Sequence, residues 1–300
     1  MFARRHPVLF FFIMISSCCT LVIIGFLLLA LAGTRMMGSA YSQVYDKGQG
    51  NIGVIEIEGV ILSSKKIIND IKTFHEDERI KAIVLRIDSP GGGIGPSQEI
   101  YREINKIKKD KLIVSSMGSV AASGGYYIAC ATSKIFANPG TITGSIGVIM
   151  EYANIMEIAK KIGISPVVIK SGEFKDMGSP LRQLKDAERK MFQSLVDELH
   201  QQFVTDVAAA RKIPVPTIEV LADGRVYTGQ KALTLNLIDS LGNLEDAIQM
   251  AGELANIKGK IIPVYLKEDR MTFIKKLADT LFKDINISGT VTDNFRYVIN

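Results

Sequence analysis

Apolar and polar positions divide the chain into two regimes. From Pro7 to Gly33 it runs PVLFFFIMISSCCTLVIIGFLLLALAG without one charge. A helix rising about 1.5 Å per residue crosses a hydrocarbon layer of roughly 30 Å in that length. The pattern predicts a cytoplasmic stub at residues 1–6, a transmembrane helix at 7–33 and a polar, small-residue linker at 34–50. A cleaved signal peptide is the rival, with Gly38-Ser39-Ala40 as a loose cleavage signal. Its apolar core would span about 7 to 15 residues, so an uncleaved anchor is the expectation. Arg4 and Arg5 precede the run and Arg35 follows it, which places the N-terminus in the cytoplasm and the rest of the chain outside.

Beyond the linker the period changes. Ile52 to Leu62 alternates apolar and polar residues as a half-buried strand does. A helix is expected at 65–75, a strand at 82–87 and an amphipathic helix at 97–108 with Ile100, Tyr101, Ile104 and Ile107 on one face. Then follow a strand at 112–116, a small-residue helix at 121–131, strands at 134–137 and 146–150, a helix at 153–162, a strand at 166–169 and a long helix from 180 to 211. Such alternation argues an α/β fold, its strands mostly parallel and covered on both faces. One domain at 51–266 and a tail at 267–300 without assignable role complete the plan.

Composition narrows the function classes. At 47% hydrophobic and 22% charged residues the chain is neither disordered nor a small disulfide scaffold. The net charge of +5 includes Arg4, Arg5 and Arg35; without them 33 basic residues face 31 acidic ones. That near balance argues against a nucleic-acid partner. Cys18 and Cys19 are adjacent, Cys130 stands alone, and the histidines are His6, His75 and His200. No disulfide framework, metal site or cofactor is expected.

Three loops follow apolar strands, where an α/β sheet presents its ligand site: Asp88-Ser-Pro-Gly-Gly-Gly, Gly118-Ser-Val-Ala-Ala-Ser123-Gly-Gly-Tyr-Tyr and Thr143-Gly-Ser145-Ile-Gly. Pro96 breaks any G-x-G-x-x-G reading, and no Walker lysine follows. Each loop alone would pass for a tight turn. Ser123, however, lies between two alanines and two glycines, so its hydroxyl is open to another chain and the N–H groups after it can bind a developing oxyanion. None of the histidines lies near such a loop. A lysine serves as base when burial keeps it neutral, and Lys175 in Ser171-Gly-Glu-Phe-Lys-Asp follows an apolar strand, although on composition alone it reads as a solvated surface group.

The ordered set SPGG, MGSVAASGGYYIA, TGSIGVI, SGEFKDMGSP and ADGRVYTG resembles the signal peptide peptidase A family of Ser/Lys peptidases in its short, single-copy, membrane-anchored form. The resemblance covers about Asn51 to Ala247. It implies Ser123 as nucleophile, Lys175 as general base, Ser145 as the hydroxyl that orients the lysine amine, and the backbone N–H groups of Gly92 and Gly124 as the oxyanion hole. It also implies the spiral of ββα units shared by caseinolytic protease and the crotonases. The implied setting is the cytoplasmic membrane of a bacterium, the domain on its outer face in a homo-oligomeric ring with each dyad shared between neighbours. The substrates implied are signal-peptide remnants and other short apolar or unfolded peptides.

Other residues carry plainer expectations: Cys130 a core thiol, Tyr126 and Tyr127 packed beside the nucleophile, Asp176 solvated, with orientation of the Lys175 loop as its alternative role. Two rival functions stay in view. Acyl-CoA chemistry on the crotonase fold needs a carboxylate beside the loops and leaves Ser123 idle, and an inactive ring-forming scaffold predicts decay at Ser123 or Lys175, both of which are intact.

Overall fold

The computed structural model describes residues 50–266 and the backbone of 295–297. The span expected at 7–33, the linker up to residue 49 and most of the tail lie outside the described residues. Among those described, no helix is long and apolar enough to cross a membrane.

The chain opens with β1 (Ile52–Glu58), α1 (Lys65–Glu76), β2 (Ala82–Ser89), the two-residue β3 (Gly92–Gly93) and α2 (Ile94–Ile107). The centre holds β4 (Leu112–Ala122), α3 (Gly124–Cys130), β5 (Lys134–Ala137), β6 (Ile142–Gly144), β7 (Ile149–Met150), α4 (Met156–Lys161) and α5 (Asp186–Arg211). It ends with α6 (Val215–Leu221), β8 (Val226–Thr228), α7 (Gly229–Thr234), β9 (Ser240–Leu241), α8 (Leu244–Leu254), β10 (Pro263–Tyr265) and β11 (Phe295–Tyr297).

The main sheet runs β10-β1-β2-β4-β5-β9, every neighbour parallel; β6 joins β4 in parallel and β8 joins β6 antiparallel. Alternate residues feed two cores. Ile83, Leu85 and Ile87 of β2 face α2, α3 and α5, whereas Ala82 and Val84 face Ala247, Ile248 and Ala251 of α8. The expected α/β fold with mostly parallel strands, covered on both faces, is therefore present.

Several boundaries differ from the pattern, each for a local reason. Helix α2 starts at Ile94 rather than Ser97, because Pro96 occupies its third position, where no intrahelical acceptor is due. Helix α5 starts at Asp186, not Pro180: the Pro180 carbonyl accepts Ile155 N–H, and Glu188 caps the true start by accepting Lys185 N–H. The strand expected at 146–150 shortens to Ile149–Met150, and none forms at 166–169, where Val167 is 88% and Ile169 96% exposed. The complete β-α-β passage expected between Ser123 and Lys175 is thus absent.

Candidate active site

Strand β4 is longer than its apolar core predicts. Its pairing with β2 shifts register between Ile87 and Ser89, and the Asp88 carboxylate covers the break by accepting the Ser119 and Val120 N–H groups at 3.2 and 3.1 Å. Past the break, Val120–Ala122 pairs with β6, and Thr143 Oγ1 donates to the Ala121 carbonyl at 2.7 Å. The strand then runs directly into α3, with Ser123 at the junction.

Ser123 has φ +52°, a region that costs a non-glycine residue about 1 to 3 kcal/mol and persists only where its surroundings enforce it. They do so from both sides. Its N–H donates to the Gly144 carbonyl at 2.8 Å, and its own carbonyl accepts the Tyr127 N–H at 2.8 Å. Helix α3 is fixed in turn: Tyr126 Oη donates to the Leu237 carbonyl, Tyr127 Oη donates to the Asp206 carboxylate, and the Tyr127 ring lies 4.6 Å from that of Tyr101. Both tyrosines are buried as scaffold. The Ser123 hydroxyl, 1% exposed, has no hydrogen-bond partner among the described residues.

Two loops converge on it. Ile61 N–H donates to the Gly91 carbonyl and Gly93 N–H to the Ile61 carbonyl, which turns the Gly92 N–H to the opposite side. A Cβ on Gly92 would stand 2.2 Å from the Ile61 oxygen, so only glycine fits there. The same loop lies against α3, since a Cβ on Gly125 would meet the Ser89 carbonyl at 2.9 Å. Gly124 opens α3, where helical N–H groups lack intrahelical acceptors. On the other side Ser145 also has positive φ, +50°, with its N–H donating to the Arg225 carbonyl at 2.9 Å. Beside it opens a cavity of about 800 Å³, lined by Val148, Val196, Asp197, His200 and Arg225 among others. The tiny strands β3 and β7 both pair antiparallel with β11, so this edge takes an extended strand between Gly92 and the segment after Ser145.

Ser123, Ser145, Gly92 and Gly124 are therefore neighbours, whereas Lys175 stands exposed in a turn and forms no hydrogen bond to Ser123. Asp176 is not solvated as expected. Arg182 Nε donates to its carboxylate at 2.8 Å, Lys170 binds the other oxygen, and these bonds hold the carboxyl far below the usual carboxylate range. Arg182 also forks onto Glu188, a fully buried carboxylate that this pairing lowers to about 2. Nothing in the residue pattern signalled Arg182 or Glu188. His200 lines the cavity beside Ser145, closer to the site than its place in a long helix suggested, and its buried Nε2 lacks a partner among the described residues. Cys130 is the core thiol expected, pushed up to about 12 by burial.

Residues 105–258 match Peptidase family S49. A Synechocystis protein that carries a protease name is 42% identical over 75% of this chain and 82% of its own length. "Serine protease SPPA, chloroplastic" of Arabidopsis thaliana is 37% identical over 68% of this chain and 30% of its own, and "Protease 4" of Salmonella typhi 33% over 77% and 39%. The chain thus spans most of the first relative and well under half of the other two. With these likenesses across its central residues, the chain belongs to peptidase family S49, the signal peptide peptidase A family.

Proposed function

We propose that this protease is a serine endopeptidase in which Ser123 attacks the peptide carbonyl and Lys175 of a second copy takes its proton. The observation that carries the reading is Ser123 itself, held at φ +52° with a hydroxyl that has no hydrogen-bond partner among the described residues. Attack by Oγ makes a tetrahedral oxyanion, for which the N–H groups of Gly92 and Gly124 are the donors. The lysine then returns the proton to the leaving amine, and water, activated by the same amine, releases the acyl group. Ser145 orients the amine.

A lysine is a base only as the free amine, which requires burial. Lys175 is exposed on its own chain, so a neighbouring copy has to cover it. Helix α5 holds the Lys175 turn through Glu188 and the nucleophile helix through Asp206, and at about 1.5 Å per residue those attachments are roughly 27 Å apart. Ile158, Ile162, Val167 and Ile169 of the intervening arm are exposed, an apolar surface suited to a second copy in a ring.

The substrate reading follows from the edge between β3 and β7, where β11 of this chain lies as an antiparallel strand: an extended peptide takes the place of β11 beside Gly92. Short or unfolded apolar peptides, signal-peptide remnants among them, are the class that a membrane-held site of this form meets first. We place the anchor at 7–33, the domain outside the cytoplasm and its architecture on the caseinolytic protease and crotonase spiral. A fluorophosphonate probe tests the chemistry: labelling confined to Ser123 supports it, and an unlabelled Ser123 in active enzyme refutes it.

A further inference from the structure

The Lys175 turn has almost no apolar packing of its own. Every residue from Gly163 to Phe174 is exposed, and the turn is drawn tight by Lys175 N–H to the Gly172 carbonyl at 3.2 Å, Met177 N–H to Phe174 at 3.0 Å and Ser179 N–H to Asp176 at 3.1 Å. Beside one backbone bond, from Ile155 N–H to the Pro180 carbonyl, the side-chain bonds that tie this turn to the rest of the fold are charged ones. Lys170 Nζ donates to the Glu173 carbonyl and the Asp176 carboxylate, closing the loop on itself. Arg182 grips Asp176 twice, at its carboxylate and at its backbone carbonyl, 2.8 and 2.9 Å. The remaining guanidinium edge forks onto Glu188, whose side chain is 1% exposed and which also accepts the Lys185 N–H at 3.1 Å.

We propose that Arg182 and Glu188 are positioning residues for Lys175, through Asp176. The inference rests on reading Lys175 as the base and adds what fixes its place. The chain of contacts runs from the side chain and carbonyl of Asp176, the residue after Lys175, through one guanidinium, to a buried carboxylate in the first turn of a 26-residue helix. Arg182→Lys would lose it, because an ammonium cannot grip Asp176 and fork onto Glu188 in one plane. The buried pair then serves precision rather than stability, since such pairs contribute little net stability once desolvation is counted.

The test uses the full-length chain in detergent, with kcat and KM measured separately on an unstructured apolar peptide for the parent, Arg182→Lys, Glu188→Gln and Lys175→Ala, alongside melting and oligomer size. A misplaced base slows the chemical step and leaves substrate binding alone, so kcat should fall about 10- to 100-fold in both clasp variants with KM within about twofold. Unchanged oligomer size and a melting point within a few degrees complete the expected result. Inactive Lys175→Ala with normal kcat in both clasp variants would overturn this inference and leave the base assignment standing, as would a loss that tracks melting or KM. Active Lys175→Ala would overturn both.

Discussion

Ser123 donates its backbone N–H to the carbonyl of Gly144, the residue before Ser145, and both serines sit at positive φ, +52° and +50°. One hydrogen bond thus sets the spacing of the two hydroxyls that the proposed chemistry uses. The strain in each is local, and β4 and β6 enforce it by pairing in parallel directly before them.

The two serines should separate in kinetics. Ser123→Ala removes one hydroxyl that bonds to none of the described residues, so melting should stay within a degree or two while kcat/KM falls by about three orders of magnitude or more. Ser145→Ala should cost less, because it disturbs only the orientation of the base. A dead Ser145→Ala beside a nearly normal Ser123→Ala would reverse the two roles.

Gly144→Ala tests the scaffold beneath them. At φ +81° a Cβ would lie 2.6 Å from the Tyr227 ring, so the substitution meets strain and a clash together. We expect a loss of about 1 to 3 kcal/mol in stability and a parallel fall in activity. Tyr227→Ala in the same chain should relieve the clash and restore part of the melting point; no restoration would show that backbone strain alone sets the cost.

The glycine and small-residue loops made the site legible in the sequence, because close backbone approach leaves few residue choices: Gly92 against Ile61 is one such place. The alternation of strands and helices was legible for the same kind of reason, as Ile83, Leu85 and Ile87 must face a core. Val167 to Ile169 misled because an apolar run says that a surface needs cover without saying whether a sheet or another molecule supplies it. The end of β4 was hidden because Gly118 to Ala122 has the composition of a loop, and the Asp88 carboxylate together with pairing to β6 lets it continue as strand. The Arg182–Glu188 pair was invisible because charge patterning alone does not reveal which carboxylate is buried.

Two residues near the site should prove dispensable to the chemistry. His200 shares the cavity beside Ser145, yet the proposed mechanism gives it no proton to move, so His200→Gln should retain activity within about threefold. Complete loss, with folding intact, would make histidine the base. Cys130, raised to about 12, should resist iodoacetamide in native protein at pH 8 and react once unfolded.

The clasp also predicts where acid acts. Glu188 is lowered from an ordinary 4.5 to about 2 by Arg182, and Asp176 is lowered by the same guanidinium and by Lys170. A carboxyl depressed in the folded chain stabilises it fully above its unfolded value, and that contribution is lost as pH falls toward the folded one. Hydrogen exchange in residues 170–190, corrected for intrinsic rates, should therefore quicken between about pH 4.5 and 2, before the β2 and β4 core opens. Glu188→Gln should remove the share that Glu188 contributes and leave the share of Asp176. Equal acid sensitivity in the variant would assign it elsewhere.

The shared dyad makes the most demanding prediction. If Lys175 serves the serine of a neighbour, Ser123→Ala and Lys175→Ala should each be inactive alone, and their mixed oligomers should regain activity wherever an intact serine meets an intact lysine. A ring repeats one heterologous interface, so random mixing of equal amounts leaves about a quarter of the sites whole. Co-expression of the two variants with different tags, followed by purification through both, selects chains that have assembled together. Activity near a quarter of the parent's would support the exchange, because no single chain in the mixture carries both groups. Activity no higher than either variant in verified mixed oligomers would place serine and lysine in one chain and overturn the reading. Replacing Val167 and Ile169 with aspartate supplies an independent check, since both are nearly or largely solvent-exposed on their own chain, at 88% and 96%. That change should leave the monomer folded, dissociate the ring and abolish hydrolysis; a fully active monomer would again put the whole dyad in one chain.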